Sequence, residues 1–350
     1  MDSITQIVLG AAAGEAVAGK KLGNKAIFWG AVAGTIPDLD ILAYPWLTEV
    51  QKLAFHRGIS HSLFFAFVAA PILAWLLHRL YRQRAGTYKD WLQVFFWGLF
   101  THPILDAFTT YGTQLFLPFS DYRVSFNNIF VADPLYTIPF LICVVICLFL
   151  TRTSPRRRLI NYIGIGWSVA YMTFTLIGKN IANHQFEAAL VEQNIDYQRY
   201  MTAPTILNSL LWYAVVEDES GYYMGYYSLL GGDTPIQFDY VERNETLLAG
   251  LENDHVVDRL KWFSNGYYVI QQKGDDLVFN DIKFGKYGFD GSPMHFVFKF
   301  RLWETENGEM DFKHFREMPD TGFGAIFDVL FRRIKGEVTD FKFEVKPFEL

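Results

Sequence analysis

Six aspartate and histidine residues in the first third of the chain are the ones whose types and spacing could support chemistry. Carboxylate and imidazole side chains both suit a divalent metal such as zinc. The surrounding sequence is so apolar that ionisable groups need a partner, since an Asp at mid-bilayer costs ~2.5–3.5 kcal/mol. Few basic residues lie nearby, so a bound metal cation is the simplest source of the positive charge that these side chains need. The six are Asp38, Asp40, His56, His61, His102 and Asp106.

The spacing within each pair favours convergence. His102 and Asp106 are four residues apart, which on a helix places them on one face. Pro103 removes a backbone donor, so we expect the helix to open there and line a cavity. Asp38 and Asp40 are two apart and would point the same way in an extended segment. The third pair, His56 and His61, flanks Gly58. Any one pair is a weak signal, but three pairs on one side of one domain indicate a single metal site.

Other roles for these and neighbouring residues stay open. The six could be helix caps or hydrogen-bonded polar groups at the membrane interface. One aspartate, such as Asp40, could act as a general base instead of a ligand. Arg57 and Arg123 could hold an anionic substrate bidentately. Arg123 could equally anchor a lipid headgroup.

The first half of the chain consists largely of apolar runs. Four of them are close to the ~20 residues that cross a hydrocarbon core of ~30 Å. Two shorter segments precede these, each with a Gly-x-x-x-Gly pattern that lets helix backbones approach closely, so we expect a tight hairpin. We therefore predict an α-helical multi-pass membrane domain over residues 1–180. Its six segments are 4–18, 26–37, 62–80, 91–108, 134–150 and 159–177.

Positive charge orients this domain. Lysines and arginines concentrate in three connecting turns, which the positive-inside rule places in the cytoplasm. The opposite loops, 38–60 and 107–133, contain only Lys52, Arg57 and Arg123. Both termini then lie outside, and all six candidate ligands fall at the outer ends of their helices. The basic residues of the three turns are Lys20, Lys21 and Lys25, then Arg79, Arg82, Arg84 and Lys89, then Arg152, Arg156, Arg157 and Arg158.

From about residue 181 the sequence becomes an ordinary polar mixture, which predicts an extracytoplasmic α+β domain over residues 181–350. Most of the net charge of −6 belongs to this half, and it gives no sign of nucleic-acid binding. Residues 273–276 have the composition of a hairpin turn. We expect strands at 211–216, 222–230, 267–272, 277–284 and 296–303, and helices at 181–199, 245–263 and 323–334.

Four short motifs carry a resemblance to a known family. They are PDLD at 37–40, HRGISHS at 56–62, HPILD at 102–106 and TTYG at 109–112. With these motifs the membrane domain resembles the bacterial inner-membrane metal-dependent hydrolase family. That family is related to the zinc-dependent phospholipase C and P1 nuclease superfamily. The resemblance implies hydrolysis, most directly of phosphoester bonds.

The resemblance also bears on single residues. Sites of that superfamily use His-x-x-x-Asp on a helix among other ligands, and His102 with Asp106 matches this element. Gln6 departs from the pattern, because many relatives have His at that position. If that His is a ligand, this chain has lost one or replaced it with an amide oxygen.

We therefore predict a multi-pass, metal-dependent hydrolase of the bacterial inner membrane, with Zn²⁺ as the cofactor. Asp40 or another aspartate would serve as base, and Arg57 and Arg123 would clamp phosphate. Because the site lies at the outer leaflet, we expect membrane lipids as partners and a lipid or lipid-linked phosphoester as substrate. A divalent-metal transporter or sensor is the alternative, although a transporter should have midplane ligands and interrupted helices in corresponding halves. A non-catalytic envelope factor is the third hypothesis.

Residues 181–350 should lie outside the cytoplasm, because the basic turns are retained inside. A reporter that is active only in the cytoplasm, fused after Leu350, should therefore be silent. Strong cytoplasmic activity would invert the topology and move the site to the inner leaflet.

Overall fold

The chain divides into two compact units. The first comprises residues 1–176 with 206–208, and the second comprises 177–205 with 209–350. The computed structural model of the protein describes residues 1–81, 86–232, 234–274, 276–286, 296–305, 307–315 and 323–337.

The first unit is helical, and each of the six predicted apolar segments corresponds to a helix. Three stretches of the described chain are long and apolar enough to cross a membrane, namely Asn24–Trp46, Leu63–Leu80 and Pro155–Glu192. Pro134–Phe149 is apolar but shorter. The orientation and any further crossings stay predictions. The helices are α1 (Ser3–Leu22), α2 (Asn24–Thr35), α3 (Glu49–Phe55), α4 (Leu63–Leu80), α5 (Tyr88–Ala107), α6 (Pro134–Phe149) and α7 (Pro155–Glu192).

Two connections in this unit are 3₁₀ helices, Ile36–Trp46 and Ile59–His61. The expectation that Asp38 and Asp40 lie on extended chain is therefore wrong. A 3₁₀ helix has three residues per turn, so residues two apart face different directions. Pro37, at the start of the first 3₁₀ helix, fits there because an initial helical position needs no backbone donor.

Helix α5 packs against α1, α2 and α4. The expectation that Pro103 opens this helix is wrong, because α5 continues through it to Ala107. Proline removes only one hydrogen bond, and neighbouring helices hold the turns on either side in place. His102 and Asp106 consequently share one helix face, as their spacing predicts.

The predicted α1–α2 hairpin is confirmed, and glycines determine how closely the two helices approach. A Cβ atom built on Gly10 would lie 2.3 Å from the carbonyl oxygen of Gly30, and one on Gly30 would lie 2.3 Å from that of Gly10. A Cβ on Gly14 would lie 2.3 Å from the carbonyl oxygen of Ala26. Any larger residue would force the backbones apart, which is why small residues occupy such interfaces.

A buried ion pair joins α1 to α7. Arg157 donates from Nε and Nη2 to the two carboxylate oxygens of Glu15 at 2.7 and 2.6 Å. Its Nη1 donates to Asn24 Oδ1 at 2.7 Å and to the Leu150 carbonyl at 2.8 Å. Arg157 was counted as one of the cytoplasmic basic residues, yet its side chain is only 2% exposed. Of the other basic residues in those turns, Arg82 and Arg84 lie outside the described residues.

The second unit is β-rich and contains two four-stranded antiparallel sheets, each with strands in chain order. The end of α7 packs against the first sheet, where Phe186 and Leu190 share a core with Trp212 and Val216. The strands are β1 (Arg199–Pro204), β2 (Leu211–Glu217), β3 (Gly221–Ser228), β4 (Phe238–Glu242), β5 (Tyr268–Lys273), β6 (Asp276–Lys286), β7 (Phe296–Glu304) and β8 (Met310–Phe315), and the helices are α8 (His255–Phe263) and α9 (Phe323–Ile334).

The five predicted strands correspond to β2, β3, β5, β6 and β7, whereas β1, β4 and β8 were missed. The helix predicted at 245–263 is wrong at its start. It is a 3₁₀ turn at Glu245–Leu248 followed by α8, because Asp254 caps a new helix. The predicted 181–199 helix ends at Glu192. In the predicted hairpin turn Lys273 pairs with Asp276, and residue 275 lies outside the described residues.

Replacing Arg157 with Ala should destabilise the membrane unit by about 3–5 kcal/mol, because it leaves the Glu15 carboxylate buried and unpaired. Unfolding in detergent micelles measures this, with Arg156→Ala, an exposed neighbour, as the matched control. Combining Arg157→Ala with Glu15→Ala should cost less than the sum of the single changes. Additive effects would contradict a coupled pair.

Candidate metal centre

Four of the six predicted ligands converge in the first unit. Asp38, His61, His102 and Asp106 each offer one ligand atom, and these four atoms all lie within 4.8 Å of one another. Asp38 comes from the first 3₁₀ helix, His61 from the second, and the other two from one face of α5. Residues that are distant in sequence therefore meet at one point.

The distances describe a compact group. His61 Nε2 lies 3.2 Å from Asp38 Oδ1 and 3.5 Å from Asp106 Oδ2. His102 Nε2 lies 3.5 Å from Asp38 Oδ1 and 3.7 Å from Asp106 Oδ2. The side chains of His61, His102 and Asp106 are buried, whereas that of Asp38 is 19% exposed. Asp38 is thus the side of the group that water can reach.

Hydrogen bonds set the orientation of both imidazoles. His102 Nδ1 lies 2.6 Å from the carbonyl oxygen of Gly34, which can only accept, so Nδ1 carries the proton. His61 Nδ1 lies 3.0 Å from Ser60 Oγ and 3.5 Å from Asp40 Oδ2. In both rings Nε2 is left to face the group, the arrangement in which a supporting partner fixes a ligating histidine.

The residues present fit a divalent cation. His102 Nε2 is buried and has no hydrogen-bond partner among the described residues, a condition that is rare in native proteins. Burial lowers the pKa of His61 to about 4, mainly through desolvation, so its imidazole is neutral and able to ligate. Two imidazoles and two carboxylates form a donor set that Zn²⁺ accepts.

Asp40 and His56, also predicted as ligands, lie beside the group rather than in it. Asp40 Oδ1 is 3.0 Å from His56 Nδ1. Asp40 Oδ2 accepts from the backbone N–H of Arg57 at 3.1 Å and from Ser60 Oγ at 3.3 Å. Asp40 therefore supports the neighbouring histidines, including His61 through its Nδ1.

The two predicted arginines lie on one aromatic ring. The guanidinium carbons of Arg57 and Arg123 are 4.9 and 5.0 Å from the centre of the Tyr111 ring. Arg57 Nε is 3.1 Å from Asp106 Oδ2, and its Nη1 donates to Thr109 Oγ1 at 2.8 Å. Arg123 donates to the Tyr111 carbonyl. Arg57 therefore contacts the group directly, whereas Arg123 contacts the Tyr111 ring that Arg57 also contacts.

Gln6, on α1, contacts the group from the opposite side. Its Nε2 donates to Asp106 Oδ1 at 2.9 Å and to the His102 carbonyl at 3.1 Å. Asp106 Oδ1 also contacts the amine of Met1. The supporting contacts of Gly34 and Ser60 were missed. Ser60 lies inside the histidine motif and could have been found, whereas a backbone carbonyl such as that of Gly34 leaves no signal in side-chain chemistry.

Comparison with known proteins places the chain among membrane proteins. A family model described as YdjM inner membrane protein matches residues 1–182. Inner membrane protein YbcI of Escherichia coli is 34% identical over 112 residues, which cover 30% of this chain and 63% of that protein. Protein YfhP of Bacillus subtilis, described as uncharacterized, is 29% identical over 156 residues, 42% of this chain and 46% of that protein. The chain thus spans less than two thirds of each of these relatives, and no solved structure matches it significantly.

Purified protein should contain a stoichiometric divalent metal, and His102→Ala should weaken its retention. Loss of a supporting residue alone costs ~10–100-fold in metal affinity, so loss of a ligand should cost at least as much. Elemental analysis after gel filtration in a buffer that contains a chelator measures the retained metal. His184→Ala is the control, because His184 is 70% exposed and belongs to the second unit. Folded wild-type protein without metal would contradict the assignment.

Proposed function

The chain belongs to the YdjM inner membrane protein family, whose model covers residues 1–182, and we propose that it is a membrane-bound, metal-dependent hydrolase. Its substrates are phosphoesters of lipids or lipid-linked molecules at the outer leaflet. The observation that carries this proposal is the group of two imidazoles and two carboxylates, with all ligand atoms within 4.8 Å of one another. The motif resemblance to zinc-dependent phosphoester hydrolases supports the reaction class.

The metal is assigned to Asp38, His61, His102 and Asp106, with Zn²⁺ as the cation best matched to them. A bound divalent cation would lower the pKa of a water molecule to ~7 and would offset the negative charge that develops on an attacked phosphoryl group. The two imidazoles and the two carboxylates already lie within 4.8 Å of one another, so little reorganisation is needed when it binds. Asp40 is assigned to holding the histidines in place, since each of its oxygens already accepts from a neighbour.

The arginines supply positive charge for an anionic substrate. Arg57 is buried against Asp106, and both Arg57 and Arg123 lie over the ring of Tyr111. Stacking on a ring fixes a guanidinium without consuming all of its donors, because the ring contacts its face and not its N–H edge. A phosphoryl group near Asp106 would therefore meet fixed cations, which favour a transition state in which negative charge increases.

Exposed apolar side chains in the segments that carry Asp38 and Arg123 support a substrate that is drawn from the bilayer. Leu42 and Trp46 lie on the same 3₁₀ helix as Asp38 and are 65% and 81% exposed. Phe119, in the 107–133 loop, is 84% exposed, and its ring lies 6.3 Å from that of Phe64 on α4. Exposed aromatic and aliphatic groups of this kind are typical of a membrane interface. A site beside them meets lipid headgroups before it meets soluble metabolites.

Hydrolysis in mixed micelles tests the proposal. Purified protein should cleave a phosphodiester on a long-chain lipid at a rate that depends on the surface concentration of that lipid. It should cleave the same group on a water-soluble molecule less efficiently, because that molecule does not concentrate at the interface. His102→Ala should be inactive in the same assay, and His184→Ala should match the wild type.

Two results would count against the proposal in different ways. Equal efficiency on both substrates, without surface dependence, contradicts a membrane-borne substrate but leaves the hydrolase. Stoichiometric metal without cleavage of either phosphoester contradicts the hydrolase and favours a transporter or sensor.

A further inference from the structure

His56 differs from the two histidines of the metal group in position and in exposure. Its ring centre lies 5.7 Å from that of His61, but it offers no atom to the four-ligand group. Its side chain is 22% exposed, whereas those of His61 and His102 are 0% exposed. A partly exposed imidazole at the edge of a buried cluster is accessible to a substrate that enters the site.

Asp40 holds this imidazole in one orientation. Asp40 Oδ1 lies 3.0 Å from His56 Nδ1, while Oδ2 is fixed by the Arg57 backbone N–H and by Ser60. The rings of Tyr44 and Tyr111 lie edge-on to His56, with centres 6.5 and 5.4 Å away. Nδ1 is therefore occupied, and Nε2 makes no hydrogen bond to the residues that the structure describes. An imidazole bound to a carboxylate at Nδ1 can exchange a proton with a substrate at Nε2.

We propose that His56 is the proton donor to the leaving group in this site and that Asp40 is its positioning residue. This inference rests on the proposed hydrolase function and adds a catalytic residue to it. The oxygen of a water molecule forms a bond to phosphorus as the bond from phosphorus to the leaving oxygen breaks. The proton on His56 Nε2 passes to the leaving oxygen and yields an alcohol. A proton from the attacking water then restores Nε2, so the imidazole is unchanged after each turnover.

Leaving groups of different basicity test this assignment. An alkoxide needs a proton as it leaves, whereas 4-nitrophenolate is stable without one. His56→Ala should therefore lose ~10²–10⁴-fold in rate on an alkyl phosphodiester, the usual contribution of general acid catalysis. On a 4-nitrophenyl phosphodiester of the same lipid the loss should be far smaller. Asp40→Asn, with rates expressed per bound metal because Asp40 also contacts His61, should show the same selectivity with a smaller loss, because His56 remains but is held less well.

Metal content provides a second reading that does not depend on activity. His56→Ala and His56→Gln should retain wild-type metal, whereas His102→Ala should not, and gel filtration in detergent checks that each variant is folded. Metal loss in folded His56 variants makes His56 a ligand and overturns the inference. Equal rate losses on the two esters also overturn it, since they indicate a structural role. A wild-type protein inactive on both esters overturns the proposed function itself, and this inference with it.

Discussion

The buried carboxylate of Asp106 is the group on which the first unit depends most. Its charge lies inside an apolar helical domain, where an isolated carboxylate would be strongly disfavoured. Four parts of the chain supply partners to it, through Gln6 on α1, Arg57 before the second 3₁₀ helix, His61 within it and His102 on α5 itself. The contacts that stabilise this charge are therefore also the contacts that bring the site residues together.

Close helix packing makes those contacts possible. The glycines that let α1 and α2 touch through their backbones also bring the end of α2 to α5, where the Gly34 carbonyl orients His102. Gly98 on α5 has a similar function, because a Cβ built on it would lie 2.5 Å from Ala33 Cβ. The small residues of the helix interfaces thus place the Gly34 carbonyl that sets the tautomer of His102, although their own side chains carry no functional group.

Much of this organisation could be predicted from the sequence, because apolar length and His/Asp spacing are local properties. The six helices and the His102–Asp106 face belong to this class. Contacts set by tertiary structure were not accessible in the same way. The divergence of Asp38 from Asp40 depends on a 3₁₀ helix, and the short sequence PDLD fits extended chain equally well. The separation of His56 from the metal group depends on its contact with Asp40, which lies at Nδ1 of His61, whereas Asp38 lies at Nε2. Edge strands such as β1 and β4 were missed because their apolar alternation is weak.

The ion pair between Glu15 and Arg157 has a consequence for how the protein is made. The two residues are 142 positions apart, so the Glu15 carboxylate can pair with Arg157 only after α7 has been synthesised. Before this pair forms, Arg157 is one of the positive charges on which the predicted orientation rests. After assembly it is withdrawn from solvent and holds the first and last helices of the unit together. A residue counted toward orientation by its charge is thus a buried structural residue in the folded unit.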